Sequence, residues 1–172
     1  MRKYGFSLAE VLITLAIIGV IAVLTIPNLN TDINREANAK KFGVVVTAVE
    51  NALSAGILAE GLHSASDLPV CCDQNSTLCL SKYLVGECAE NVITMKNGAI
   101  LTFSNNNLNI DVNGNKGPNE EFNDIYNVDI EPDGLITATG ITSILMQNDY
   151  KYTSIKKLLE NADNEEKEEN ED

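Results

Sequence analysis

The chain begins with a long, nearly uninterrupted apolar segment. From Val11 to Ile26 the only polar side chains are those of Thr14 and Thr25, and no residue between Val11 and Thr31 is charged. About 17 to 25 apolar residues are enough to span a bilayer as a helix. The pattern predicts a membrane-spanning helix, because a helix in a globular core would have to bury every face.

The helical pattern continues beyond this segment, but it becomes amphipathic. A stripe of large apolar residues recurs at helical spacing, and a flank of mostly smaller residues lies beside it. The stripe comprises Phe42, Val45, Val49, Leu53 and Ile57, and the flank comprises Ala37, Val44, Ala48, Ala52, Ala55 and Ala59. We therefore expect one helix of about 55 residues, with the second half packed on a globular domain.

The remaining chain predicts a small antiparallel sheet. After a helix break at Gly61 we expect a cross-linked loop region over 61–92, with a short helix near 81–85, because Gly, Ser and Pro punctuate this stretch. Four strand-like runs follow, separated by Asn, Gly and Pro-Asp-Gly turns, at 99–104, 108–112, 125–130 and 135–139. The predicted fold class is α+β, with the sheet packed on the large-residue stripe. A last helix is expected over 150–162.

Charge narrows the range of functions. The 172 residues carry a net charge of −13, which disfavours binding to a nucleic-acid backbone, and no direct nucleic-acid contact is evident. Residues 160–172 hold eight acids against Lys167 and little apolar material, so we expect a disordered acidic tail. The length allows one modest globular domain with an appendage.

Few residues are suited to catalysis or to soft-metal binding. His63 is the single histidine, so a histidine-based nucleophilic site or a histidine-rich zinc site has little material, and we expect His63 in a loop or at a helix end. The carboxylates of Asp124, Asp129 and Glu131 have no discernible acid/base partners in the sequence. We therefore expect a protein that is not an enzyme.

The charges that flank the apolar segment predict its orientation. Arg2 and Lys3 precede the segment, whereas Asp32 and Glu36 are among the first charges after it, so the positive-inside rule leaves the N-terminus in the cytoplasm. The residues after about 30 then lie outside, where thiols oxidise. Two disulfides are favoured over a zinc site, with the connectivity open, among Cys71, Cys72, Cys79 and Cys88.

The N-terminal residues resemble a known processing signal. They are similar to the cleavage and methylation signature of type IV pilins and type II secretion pseudopilins through the run Gly5-Phe6-Ser7-Leu8-Ala9-Glu10-Val11-Leu12-Ile13-Thr14-Leu15. The resemblance implies that a prepilin peptidase cuts between Gly5 and Phe6 and methylates the new amine of Phe6. It further implies that Glu10 pairs with the Phe6 ammonium of a neighbouring subunit, and that Pro27 bends the helix. No A-x-A-like site follows the apolar run, which disfavours ordinary signal cleavage.

This resemblance implies a domain organisation and a location. We expect a leader at 1–5, a long helix at 6–61 of which about 6–29 is transmembrane, a pilin-like globular domain at 62–159 and the tail at 160–172. The expected location is the bacterial cytoplasmic (inner) membrane, with a single span and the C-terminal domain outside, followed by an extracytoplasmic filament. The expected partners are prepilin peptidase, other pilin-like subunits and the inner-membrane assembly platform.

A second, shorter resemblance concerns a possible calcium loop. Residues 111–119 are similar to an Asp-x-Asn-Gly-x-x-Gly-Pro-Asn loop of pilin-like proteins. Oxygen ligands of Asp111, Asn113, Asn115 and Asp124 suit calcium, although Phe122 stands where an EF-hand has its bidentate acid. A calcium loop and a metal-free Asn/Gly turn both fit the pattern.

Two classes of function remain at this stage. The first is a structural subunit of a type IV pilus or a type II secretion pseudopilus, between which the shared signature does not discriminate. The second is a single-pass anchored extracytoplasmic binding domain that never polymerises, in which Glu10 would be a snorkelling charge. Cleavage at Gly5 distinguishes the two classes.

Overall fold

The computed structural model describes residues 7–71 and 79–152, and the side chains of 26–32 lie outside this description. Helix α1 spans Leu8–Glu60 and helix α2 spans Gly140–Gln147. The strands are β1 (Gly86–Ala89), β2 (Val92–Met95), β3 (Ile100–Ser104), β4 (Asn107–Asp111), β5 (Ile125–Ile130) and β6 (Ile136–Thr137). The chain divides into two compact units, one up to Asn34 and the other from Arg35 onward. The fold class is α+β, as predicted.

Helix α1 ends where the sequence indicates. Gly61 adopts a left-handed backbone with φ of 65°, which costs glycine no steric penalty. The N–H of Leu62 then donates to the carbonyl of Ile57 at 3.0 Å, the bond that closes a Schellman motif. His63 follows in an exposed bend, as expected for a loop histidine.

The sheet is an antiparallel meander in which each strand pairs with the next one in the chain, in the order β1 to β6. Strands β3 and β4 are joined through Asn105, whose φ of 52° is left-handed, a conformation that asparagine tolerates better than most residues. The register of β3 with β4 places Leu101 opposite Ile110 and Phe103 opposite Leu108. The alternation along each strand therefore gives the sheet one apolar face.

The predicted large-residue stripe of α1 forms the helical side of the core. Phe42, Val45 and Val49 are completely buried and Leu53 nearly so, whereas Val44, on the predicted flank, is 66 % exposed. The sheet contributes the buried residues Ile93, Leu101, Phe103, Leu108, Ile110, Tyr126, Val128 and Ile136. The hydrophobic core of the second unit thus lies between one face of α1 and one face of the sheet.

The structure differs in detail from three local expectations. The region 61–92 is not a loop throughout, because β1 and the start of β2 lie in it, and at four residues each these strands are too short for a clear alternation. Its expected short helix is a 3-10 turn at Leu80–Lys82. The sequence also missed α2. The expected last helix stays a prediction, because Tyr150 has a left-handed φ of 55° but Tyr152 is helical. Residues 153–162 of that expected helix, and the tail at 160–172, lie outside the described residues.

Candidate functional site

The apolar helix begins with a reciprocal pair of hydrogen bonds between Ser7 and Glu10. The backbone N–H of Ser7 donates to Glu10 Oε2 at 2.8 Å, and the backbone N–H of Glu10 donates to Ser7 Oγ at 3.3 Å. This is a capping box, which satisfies two N–H groups that a helix start leaves without partners. The Ser-Leu-Ala-Glu spacing thus explains why α1 starts at Leu8.

The helix that follows presents its apolar side chains outward. Leu8–Thr25 has a mean hydropathy of 2.5, and none of this segment is buried within the protein. Its two threonines satisfy their hydroxyls internally, since Thr14 Oγ1 donates to the carbonyl of Val11 at 2.9 Å and Thr25 Oγ1 to that of Ile21 at 3.0 Å. The segment therefore has the length and the polarity of a membrane span.

A second long apolar stretch, Ile33–Glu60, also has the length of a span, but many of its side chains are buried within the protein. Its buried side chains form the core against the sheet. A helix of this length and composition can therefore be the core helix of a globular unit. Of the two apolar stretches within the described residues, only Leu8–Thr25 is uncovered.

Some of the predicted processing residues fall outside the described part of the chain. Gly5 and Phe6, the predicted cleavage and methylation positions, and the leader at 1–5 are among them. The backbone of α1 is helical through Pro27, whose side chain is not described. The bend at Pro27 and the cleavage therefore stay predictions.

The segment from Asp111 to Asp124, here called the Asn/Gly loop, is organised by two carboxylates. Asp111 Oδ1 accepts the backbone N–H groups of Asn113 at 3.1 Å and Gly114 at 2.8 Å. Asp124 is completely buried. Its Oδ2 accepts from Asn113 Nδ2 at 3.0 Å and from the N–H of Asn119 at 2.9 Å, and its Oδ1 accepts from the N–H of Glu120 at 2.7 Å.

This arrangement does not fit a calcium coordination shell built from the four residues that the sequence suggested. N–H donors face both oxygens of Asp124 and one oxygen of Asp111, whereas calcium takes six to eight oxygen ligands. Asn115 is exposed. The one buried side-chain acceptor without a partner, among the residues described, is Asn113 Oδ1, which amounts to a single ligand. No group of three His, Cys, Asp or Glu side chains converges on a possible metal position within the described ranges.

The described cysteines are disulfide-bonded, in agreement with the disulfides that the sequence predicts. Cys71 and Cys88 are bonded to each other, with their Cα atoms 5.8 Å apart. Cys79 is also disulfide-bonded, and Cys72 lies outside the described residues. The Cys71–Cys88 bond joins the loop after α1 to strand β1, and so connects chain segments that sequence alone could not pair.

An aromatic cluster that the sequence did not reveal holds the end of the described chain against α1. The Phe42 ring stacks on the Tyr126 ring at 4.2 Å and meets the Tyr150 ring edge-on at 5.5 Å. Arg35 Nη1 donates to the Tyr152 hydroxyl at 3.0 Å and lies over the Tyr152 ring. Burial raises the pKa values of the Tyr126 and Tyr150 phenols, which therefore stay neutral well into the alkaline range.

The remaining acidic candidates have structural partners. Asp129 Oδ1 accepts from Asn107 Nδ2 at 3.3 Å, and Glu131 Oε1 accepts from Thr137 Oγ1 at 2.9 Å. Glu50 Oε1 accepts the backbone N–H of Ile136 at 3.0 Å and so covers the edge of the sheet at β6. These carboxylates hold strands in place.

Comparisons with known proteins support one part of the chain. No curated protein and no solved structure shows a significant match. A family model, the prokaryotic N-terminal methylation motif, matches residues 1–26 and so covers Ser7, Glu10 and most of the apolar segment. The chain therefore carries, at its N-terminus, the signature of type IV pilins and pseudopilins, a family that is structural rather than catalytic.

Proposed function

We propose that this protein is a structural subunit of a type IV pilus or a type II secretion pseudopilus. In this proposal a prepilin peptidase cuts between Gly5 and Phe6, and the processed chain resides in the cytoplasmic membrane with its second unit outside. The inner-membrane assembly platform then incorporates it into a filament with other pilin-like subunits. The methylation motif at residues 1–26 supports the processing step.

The observation that carries the proposal is the position of Glu10. It is the only ionisable residue of Leu8–Thr25, and it stands in the first turn of an apolar helix that the rest of the protein leaves uncovered. The backbone N–H of Ser7 donates one hydrogen bond to the Glu10 carboxylate, but it does not neutralise the negative charge of that carboxylate. A carboxylate at such a place is costly until an opposite charge pairs with it.

Cleavage would create that opposite charge. A cut before Phe6 frees an amine four residues before Glu10, and the amine of a neighbouring chain carries the same positive charge. Within the described residues, no bond to Glu10 Oε1 is present, so this oxygen is available to a second donor. An ion pair between chains would offset the desolvation of both groups as the helices leave the lipid.

The surface of the apolar helix is compatible with close helix packing. A Cβ added to Gly19 would meet no atom of the protein within 4 Å, so its own chain does not require glycine at this position. Ala16 and Ala22 lie three residues to either side. Small residues in this arrangement allow another helix to approach closely in lipid or in a filament.

The experiment that tests the proposal is intact-mass and N-terminal analysis of the protein from its native membrane, with and without active prepilin peptidase. The expected product is a chain that starts at methylated Phe6, found only when the peptidase is active. A chain that still starts at Met1 in the presence of the peptidase would contradict the proposal. It would favour the alternative, an anchored extracytoplasmic binding domain that does not polymerise.

The type of filament is a separate question. Copurification of sheared filaments, followed by identification of the other subunits, distinguishes a pilus from a secretion pseudopilus. The N-terminal methylation motif is a signature of both pilins and pseudopilins, so it does not discriminate between the two assemblies.

A further inference from the structure

The Asn/Gly loop holds its shape through contacts that converge on one buried side chain. Asp124 is completely buried and accepts three N–H hydrogen bonds, at 2.7 to 3.0 Å, from three residues spread along the loop. Hydrogen bonds to an ionised acceptor are about twice as strong as those between neutral groups. The carboxylate therefore fastens both arms of the loop at one point.

Helix α1 contacts the same loop at both ends. Asn38 Nδ2 donates to the carbonyl of Asn123 at 3.1 Å, and Lys41 Nζ donates to the carbonyl of Val112 at 3.4 Å. Val112 also donates its N–H to the carbonyl of Asp124 at 2.9 Å. The carbonyl oxygens of Val112 and Asn123, which a loop of this kind could turn toward a cation, thus already have donors from the helix.

We propose that the buried carboxylate of Asp124, together with the Asp111 carboxylate, organises the Asn/Gly loop, and that the loop folds without a bound cation. The N–H groups around Asp124 point the positive ends of their dipoles at its oxygens, where a cation would otherwise supply the positive charge. A cation that ligated this carboxylate would displace N–H groups, and a displaced group away from water loses its hydrogen bond at a real cost. The loop is therefore a metal-independent structural element.

The test uses the full processed chain in detergent micelles. The thermal unfolding midpoint, Tm, is followed by tyrosine fluorescence in calcium chloride at millimolar concentration and, separately, in a chelator. We expect the two Tm values of the unchanged protein to agree within about 1 °C, since a ligand that binds only the folded state would raise Tm. A calcium-dependent rise of Tm by several degrees would overturn the proposal.

Two variants locate the effect within the loop. Asp124→Asn removes the negative charge and places an N–H₂ group, which cannot accept, against N–H donors of the loop. The Tm of this variant should therefore be lower than that of the unchanged protein by about 8 °C or more, both with calcium and with chelator. Asn115→Ala is the matched control, because it removes a predicted ligand that is exposed, and its Tm should not change. An unchanged Tm for Asp124→Asn, or a calcium response that Asn115→Ala abolishes, would refute the proposal.

A failure of Asp124→Asn to fold is also an informative outcome. If Asp124→Asn yields no folded protein, the dependence of the loop on this carboxylate is supported, and Asp124→Glu, which keeps the charge, should restore folding in part. The calcium comparison on the unchanged protein does not use any variant. It decides by itself whether a cation contributes.

Discussion

Replacing Glu10 with valine tests the charge that the proposed assembly depends on. The change removes the only ionisable group of Leu8–Thr25 and the acceptor of the Ser7 N–H, and it leaves the predicted cleavage position at Gly5 and Phe6 intact. We expect Glu10→Val to be processed largely as the unchanged chain is and to be excluded from filaments. The reason is that the variant lacks the carboxylate for the ion pair between subunits.

The magnitude follows from what Glu10 contacts. Within one chain it takes part in two capping hydrogen bonds, at 2.8 and 3.3 Å, and a lost cap costs about 1 kcal/mol. That loss is confined to the first turn of an exposed helix. Glu10 lies in the first turn of the apolar helix, so its carboxylate costs less than one at the bilayer centre, and pairing in the filament relieves that cost. Valine removes the ion pair, and we expect incorporation into filaments to fall by about tenfold or more.

The assay measures processing by intact mass and assembly by the amount of the protein in sheared filaments. Glu10→Gln is the matched control for shape, because its amide oxygen can still accept the Ser7 N–H but carries no charge. It should be excluded from filaments as Glu10→Val is. Ser7→Thr keeps the capping box and should assemble normally. A normal filament yield from processed Glu10→Val would refute the proposed role.

Three further predictions concern the second unit. Gly43→Ala should lower the unfolding free energy by about 1–3 kcal/mol in denaturant titrations, because the new Cβ would lie 2.5 Å from the Tyr150 ring; an unchanged midpoint would contradict this packing. Burial raises the pKa of the Tyr126 phenol, so the folded state holds this proton more tightly than the unfolded state does. The contribution of this phenol to the free energy of unfolding should therefore be fully present below about pH 10 and should be lost as the pH rises further. Tyr126→Phe should flatten that alkaline decline, and an identical pH profile would argue against the burial. Peptide mapping without reductant should recover the Cys71–Cys88 bond. Replacing Cys71 and Cys88 together with serine should cost about 3 kcal/mol, since this bond closes a loop with a sequence separation of 17; the Tm of the variant against that of the unchanged protein measures the cost.

The predictions that succeeded rest on local patterns. Phe42, Val45 and Val49 recur at the helical period, and all three are completely buried on one face of α1. The run at 125–130 alternates, and β5 has these bounds. Such patterns can be read from a single chain, because helical and strand periods are fixed by backbone geometry.

The predictions that failed, or that the sequence left open, depend on partners distant along the chain. Strand β1 is four residues long and is defined by its register with β2 rather than by its own pattern. The sequence left the role of Asp124 open between a calcium loop and a metal-free Asn/Gly turn, because a carboxylate in an Asn- and Gly-rich stretch looks the same whether N–H groups or a cation surround it. Only the folded loop shows three N–H donors around it.

The sequence by itself determined the apolar N-terminal helix, its end near Gly61 and the α+β class. These features follow from hydrophobic period and glycine conformation, both of which act over a few residues. Only the tertiary structure decided that Cys71 pairs with Cys88, that Tyr150 covers Gly43, and that a buried carboxylate closes the Asn/Gly loop. Those arrangements depend on contacts between residues that are distant along the chain and on which groups those contacts bury. Local sequence patterns do not specify such contacts.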